Sequence, residues 1–488
     1  MIFFLNAINL VTVLASFIVQ ILIVRFFGAS DSTDIYYLII TITTFVTGVS
    51  TGFLTDLFVP IYHDAKKRDA RDAQRLTGGV LTLSLLSGVL LTVIVYVLAP
   101  LIVSVFASGF HTMKHDEAVS MLRIVSLSIV FTSMTMILNS TLNANSYLLV
   151  TYLTNLILPV FNVLALLLWG SRLGVAALMY AIVYASMLTF VIVFAHCKFK
   201  IGARFSNPLG QKDLSYLLVK NVPVRGANII HMLRGPLTTT VLSYFPSGFL
   251  TLYSYADKII TVLLGTTNSP LAQIFYIKSS QFASQKRYPE IKELLIKTVK
   301  SSIMLFVGTV FATILVFQKV FGILFAGKVP AGGVGTMFLI FISLFPFYYV
   351  SLVGTELGMT ALSLKKGRLA FYASGTFIAI FGLSLIPLVR SMSFYGLPLG
   401  LALAQIGAAV VYAISVNRVQ PLIGREFIAV QVTTLIFSAL MVAANVVEFH
   451  NHLLQLATSA GIILLWILME GRSVVSAMRF ITAKGEIK

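Results

Sequence analysis

The sequence predicts an all-α polytopic membrane protein with about fourteen transmembrane helices, arranged as two pseudo-symmetric six-helix lobes plus two C-terminal helices. Three observations predict it. The chain has 488 residues, 58% of them hydrophobic and 11% charged, where a soluble chain carries about 25% charged residues. The apolar residues fall into about fourteen runs near the ~20 residues needed to cross a ~30 Å hydrocarbon core. The basic residues collect in alternate connections between those runs.

Taken in order, the runs centre near Ala15, Phe45, Leu90, Ser133, Val160, Tyr184, Ile230, Val262, Val310, Phe345, Ile378, Ala404, Leu435 and Ile462. The first begins almost at Met1, without a basic leader or a small-residue cleavage site, and reads as a retained span. With the N-terminus in the cytoplasm, the inward connections hold the basic clusters Lys66–Arg75, Lys198–Lys220, Lys278–Lys300, Lys365–Arg368 and Arg418–Arg425, and the tail adds Arg472, Arg479, Lys484 and Lys488. The opposite connections hold only Arg25, Lys114, Arg123, Arg172, Lys319, Lys328 and Arg390. This asymmetry predicts that both termini are cytoplasmic, and it accounts for most of the net charge of +18 without nucleic acid.

The polar segment 197–216, with its Asn207-Pro208-Leu209-Gly210 loop signature, reads as a cytoplasmic connector. It divides an N-lobe (1–196, helices 1–6) from a C-lobe (217–424, helices 7–12). Residues 425–488 supply helices 13–14 and a cytoplasmic tail. An internal echo supports the division: Thr33-Asp34-Ile35-Tyr36 resembles Ala256-Asp257-Lys258-Ile259. Each copy follows a glycine-containing outer turn and ends in an aromatic cluster and a basic segment. Parallel repeats of this kind place a substrate site near the midplane, between lobes.

The stretch Val222–Gly265 carries the chemistry. It reads as two spans joined by the turn Phe245-Pro246-Ser247-Gly248, the first interrupted at Pro223 and Pro236. Arg225, His231 and Arg234 lie in the first span, Asp257 and Lys258 in the second. Charge at membrane depth costs a few kcal/mol per residue, so such side chains face a bundle interior or a watery cavity. Arg225, Arg234 and Lys258 are the candidate substrate-binding cations, because an anion must have its charge offset in a low-dielectric barrier and guanidinium forks suit paired oxygens. Bland alternatives stand beside these roles: Arg225 and Lys258 can snorkel to an interface, and His231 can be a hydrogen-bonded core residue. Glu356, Asp56, His231 and Asp257 are the coupling candidates.

No enzyme constellation emerges. There is no phosphate-cradling glycine loop and no zinc-helix motif, and the outer loops are too short to host catalytic carboxylates. The single cysteine, Cys197, excludes an internal disulfide and a cysteine metal cluster. No metal site and no cofactor are expected; proton or membrane-potential coupling is.

Four motifs in register resemble the lipid II flippase (MurJ) family: FGASDSTDIYYL (Phe27–Leu38), LFVPIYHDAKKRD (Leu57–Asp69), ILNSTLNANSYLLVTYLTNLILPVFN (Ile137–Asn162) and YSYADKIITVLLG (Tyr253–Gly265). The resemblance covers most of the chain. It implies the fold of the multidrug/oligosaccharidyl-lipid/polysaccharide exporter superfamily, whose two lobes alternate between inward- and outward-open states. It also implies a multi-pass protein of the bacterial inner membrane, with a lipid-linked saccharide as substrate, membrane lipids and envelope-biosynthesis enzymes as partners, and no nucleic acid. Departures are visible too. Leu10–Val24 has none of the family's first-span arginines, neutral residues around Thr47 and Gly48 replace its second-span arginine pair, and Lys258 replaces its motif arginine. Leu237-Thr238-Thr239-Thr240 lacks the acid of the family's sodium site. The expected function is therefore a flippase for a polyprenyl-diphosphate-linked saccharide. The alternatives are a cation-coupled drug exporter, which would favour an acidic cavity, and a non-transporting scaffold, which would tolerate loss of Arg234 and Lys258.

Overall fold

A computed structural model describes residues 2–55, 58–208, 211–330, 332–364, 366 and 368–419, and beyond these only 421, 424, 427–428, 431–434, 436, 438, 440, 461–462 and 465. The expected helices 13–14 and the tail therefore lie mostly outside the described residues, and so does Asp56. Among the described residues the regular elements are all helical, as the apolar runs predict.

The chain forms two compact units. The first comprises 1–254 with 327–330, the second 255–326 with 331–488. The first unit contains α1 (Ile2–Phe27), α2 (Asp31–Thr55), α3 (Phe58–Arg68), α4 (Ala70–Val97), α5 (Ala99–Phe106), α6 (Thr112–Ser126), α7 (Ser128–Ala144), α8 (Leu148–Thr154), α9 (Ile157–Leu173), α10 (Ala176–Ile201), α11 (Lys212–Met232) and α12 (Arg234–Leu242). The border falls inside α13 (Phe249–Ser284). The second unit continues with α14 (Tyr288–Leu324), α15 (Gly333–Ser363), α16 (Arg368–Met392) and α17 (Gly396–Val419).

Among the described residues, seven helical stretches are long and apolar enough to cross a membrane, or eight if a bent pair counts as one span. That pair is α6 and α7, which meet at 41°. The break frees backbone carbonyls that lipid cannot satisfy, so nearby hydroxyls must. Thr92 on α4 donates to the Ser126 carbonyl at 3.1 Å, Ser128 to that of Val125 at 2.7 Å, and Ser126 to that of Arg123 at 2.7 Å.

In the first unit, α4 packs on α7 and α10 on α9 and α7. Phe58, Tyr62, Leu76, Ile137 and Leu214 form one buried apolar cluster. The basic segment after α2 is helical, as expected: α3 ends in Lys66, Lys67 and Arg68. Asp69 caps the next helix by accepting the N–H of Arg71 at 3.0 Å, filling one of the donor vacancies of a first turn. In the second unit α17 packs on α15 and α16. Aromatic rings fill its core, with Phe317 against Phe321, Phe338 and Phe341 at 4.5–5.3 Å between centroids.

The expectation that proline interrupts the first cationic span in two places needs correction. Helix α11 runs through Pro223, and the only break there is at Leu233, just before Pro236. One proline removes a single N–H, a deficit that a helix packed within protein tolerates. The sequence Arg234-Gly235-Pro236 adds a flexible residue to that deficit, and the helix breaks beside it.

Candidate functional site

The cationic stretch folds as α11 and α12, and its best-defined side chain is Arg225. Although it is an arginine, Arg225 is only 4% exposed. Its guanidinium lies in a notch on α2. A Cβ built on Gly52 would fall 1.7 Å from Nη1 and 1.9 Å from Cζ, so the notch exists only because residue 52 has no side chain. One turn earlier, a Cβ on Gly48 would meet Met232 Cε at 2.0 Å. Positions 48 and 52 share a helix face, so one strip of α2 receives both side chains. Arg225 Nη2 also lies 3.9 Å from Met232 Sδ. A guanidinium seated this way has little rotamer freedom left to lose.

His231 occupies the last turn of α11 and is exposed, while Arg234 opens α12 and is half-buried. In the second unit the remaining candidates separate. Asp257 accepts a hydrogen bond from Tyr348 on α15 at 2.6 Å, and Tyr348 shares another with Thr261 at 2.8 Å. Lys258, the next residue, is exposed. Glu356 is fully buried on α15, and neither of its carboxylate oxygens has a hydrogen-bond partner.

A second polar cluster, in the first unit, was not singled out from the sequence. Asp34, 2% exposed, accepts the N–H groups of Gly248 at 2.8 Å and Thr251 at 2.9 Å and the Thr251 hydroxyl at 2.6 Å. These donors belong to the start of α13, where unsatisfied N–H groups and the helix dipole favour an anion. Lys114, 6% exposed, bonds Asp34 at 2.8 Å and Asp31 at 2.7 Å and stands 4.2 Å from the centroid of the Phe110 ring. Two glycines make the approach possible. Gly28 (φ +66°) sits where a Cβ would be 2.3 Å from the Lys328 carbonyl oxygen, and Gly248 (φ +82°) where one would be 2.6 Å from that of Ala29. The only sequence signal was the echo aligning Asp34 with Asp257. Both are aspartates that brace another helix within their own unit.

Elsewhere the first unit has a cavity of about 460 Å³ between α9 and α10, walled by Phe161, Leu168, Trp169, Tyr180 and Tyr184. It carries no charged side chain and cannot neutralise an anion. Outside the spans, burial pushes the Tyr62 phenol up from its ordinary value, partly offset by Asn145, which donates to its oxygen at 2.8 Å. Among the described residues no three His, Cys, Asp or Glu side chains are placed to hold a metal ion.

Comparison with known proteins bears on all of this. The chain is similar to the lipid II flippase MurJ of Burkholderia cenocepacia, with 28% identity over 260 residues, 50% of each chain. It is also similar to a probable lipid II flippase MurJ of Rickettsia prowazekii, with 20% identity over 282 residues, 56% of this chain and 55% of that one. The chain thus spans about half the length of these curated relatives in alignment. Among solved structures it resembles a lipid II flippase MurJ in an inward closed conformation, with TM-score 0.78 and 16% identity over 97% of this chain and 100% of that one. It also resembles an inward-facing multidrug resistance MATE family transporter of the MOP superfamily, with TM-score 0.70 and 14% identity over 86% and 96%. At these identities the structural likenesses establish the fold: a multi-pass helical membrane protein built like these transporters. The sequence profile described as "Lipid II flippase MurJ" matches residues 23–469. The chain therefore belongs to the lipid II flippase MurJ family.

Proposed function

We propose that this protein is a flippase that carries a polyprenyl-diphosphate-linked saccharide from the cytoplasmic to the outer leaflet by alternating access, and that it is not an enzyme. The observation that carries the reading is Arg225, a guanidinium of α11 held in a glycine notch on α2 in a chain of this family. Arg225, Arg234 and Lys258 bind the diphosphate, while the prenyl tail stays in lipid. On the charge-asymmetry reading both termini are cytoplasmic, in the bacterial inner membrane. The moving bodies are the lobes 1–196 and 217–424, a division by sequence echo; the two compact units are a division by packing. Partners are the lipid-linked substrate and surrounding lipids, with envelope-biosynthesis enzymes supplying and consuming the saccharide.

A ligand drives such a switch only by binding the two states unequally. The cations must therefore hold the diphosphate better in the inward state than in the outward one. An inside-negative potential favours anion export by about 2.3 kcal/mol per charge per 100 mV for a full crossing. On the same topology the Asp34–Lys114 cluster belongs to the outer side. His231, Asp257 and Asp56 are coupling candidates on the sequence reading.

Proteoliposomes loaded with a fluorescent polyprenyl-diphosphate saccharide test this reading. Wild type should flip the lipid, and faster under an imposed inside-negative potential. Arg225→Ala and Arg234→Ala should each slow it about tenfold or more, as expected for losing a charged hydrogen bond of roughly 1.5–3 kcal/mol. If wild type moves no such lipid, the function is wrong; if both variants match wild type, the assignment of the cations is wrong.

A further inference from the structure

The carboxyl group of Glu356 has no described role in the anion path, and its surroundings are unusual. It is 0% exposed, and both oxygens are buried without a hydrogen-bond partner. Two side-chain ties fix the register of α13 against α15: Asp257 and Thr261 bond Tyr348, and Ser279 bonds Ser363 at 2.6 Å. Glu356 stands eight residues after Tyr348 and seven before Ser363. Seven residues are close to two whole turns, so Glu356 shares the face on which Ser363 meets α13, while eight residues leave it about 80° round the helix from Tyr348. On α13, Asn268 stands seven residues after Thr261 and eleven before Ser279, again near whole turns. The rise from the Tyr348 tie is about 12 Å to Glu356 on one helix and about 10 Å to Asn268 on the other. Asn268 is 5% exposed, and its Oδ1 has no hydrogen-bond partner. From α17, Gln405 approaches within 3.1 Å of a Cβ built on Gly354, and its Oε1 is likewise buried and unpartnered.

The second unit thus holds several buried acceptor oxygens without a donor among the described residues. A bare carboxylate there would be a buried charge with no partner, and such a group neutralises itself by taking up a proton. Among the described residues no other charge is placed to offer Glu356 a partner. On α13, Asp257 is committed to Tyr348, Lys258 is exposed, and Lys278 is one residue from Ser279, beyond the far tie. On α14, Lys297 pairs with Glu293 at 2.5 Å and Lys300 is three residues on, in the first four turns; Lys319 lies in the last two. On α16, Arg368 and Arg390 are at the two ends and Tyr372 is exposed. On α17, Tyr412 meets Gly358, its hydroxyl 3.6 Å from a Cβ built there, and Arg418 is at the end. Tyr348 and Tyr349 on α15 itself bond Asp257 and Gln431. Glu356 has no ion pair among the described residues. Each of its oxygens is closed to water, which leaves room for a proton but not for a cation with its own ligand shell.

We propose that Glu356 is a proton-binding site: it holds a proton in the state seen here and gives it to water when the α13–α15 face opens during transport, coupling flipping to proton movement. This role rests on the flippase reading for its consequence but not for its existence. The proton alone moves between Glu356 and water, and no other bond changes.

The test has two arms. Infrared difference spectra of the purified full chain in nanodiscs at neutral pH should contain a protonated-carboxyl band that Glu356→Gln removes while Asp257→Asn retains it. In proteoliposomes, wild-type flipping should vary with pH by up to about tenfold per unit on one limb, and Glu356→Gln, which mimics the protonated side chain, should be pH-independent and at least tenfold slower. Absence of the band at neutral pH overturns the proposal, as does a band that appears only after sodium is removed, which would make the ligand sodium. Flipping by Glu356→Gln with the wild-type pH profile overturns the coupling. If the band behaves as expected and no lipid moves in any variant, the flippase reading fails while the proton site stands.

Discussion

Asp34 on α2 accepts the backbone N–H of Thr251 at 2.9 Å, so a carboxylate more than two hundred residues away in sequence caps the first turn of α13. The same carboxylate holds Lys114, leaving two charges with almost no access to solvent. Removing Asp34 leaves Lys114 with only the part-exposed Asp31 and orphans the Gly248 and Thr251 N–H groups; each buried donor left unpaired costs about 1–3 kcal/mol. Asp34→Ala should therefore lower the unfolding temperature in detergent sharply. Adding Lys114→Met to Asp34→Ala should recover part of the loss. If the double variant is as unstable as the sum of the singles, the two charges do not depend on one another.

Gly52→Ala should act through Arg225. The new methyl group must displace a guanidinium now 1.7 Å from where it would stand. Overpacking a fitted site costs about 1–3 kcal/mol. In the flipping assay Gly52→Ala and Arg225→Ala should each reduce the rate, and the double variant should be no slower than Arg225→Ala alone. Additive losses would mean that the notch serves something other than Arg225.

The bend between α6 and α7 gives a smaller, sharper expectation. Thr92→Val keeps the side-chain shape and removes the donor to the Ser126 carbonyl. Leaving a buried acceptor unpaired costs about 1–3 kcal/mol. Thermal unfolding should show that loss, whereas Thr82→Val should show less, because two carbonyls compete for the Thr82 hydroxyl on a helix that is not broken there.

By contrast, the ion pair of Arg68 with Asp213 should matter little to stability. The two side chains are 57% and 31% exposed, and pairs in such surroundings contribute about 0–1 kcal/mol. Asp213→Asn should shift the unfolding temperature by no more than about a degree or two, and raising the salt concentration should remove even that difference.

These cases also show what the sequence discloses. Helical class, membrane character, the turn at Pro246–Gly248 and the basic helix ending at Arg68 follow from composition and periodicity, which act locally. The family was legible because its motifs survive in order. The notch was not: a glycine in a membrane helix has many uses, and nothing in the residues around Gly52 names an arginine lying 173 positions later. Lys114 was read as one of a few outer charges because only the fold brings it to Asp34. Lys258 was read beside Arg225 and Arg234 because adjacency in sequence is visible, whereas their separation into two packing units is not.

The strip of α2 that lacks side chains has a consequence for the history of this family. A methyl group at 52 would take the space of the Arg225 guanidinium, so residue 52 cannot grow while the arginine keeps its seat, although the arginine can be lost while glycine stays. Homologues that keep an arginine at 225 should keep glycine at 52. Where a lineage has acquired alanine or anything larger at 52, the arginine should already have been lost. The order of events is then fixed, with the cation going first and the gap filling afterwards.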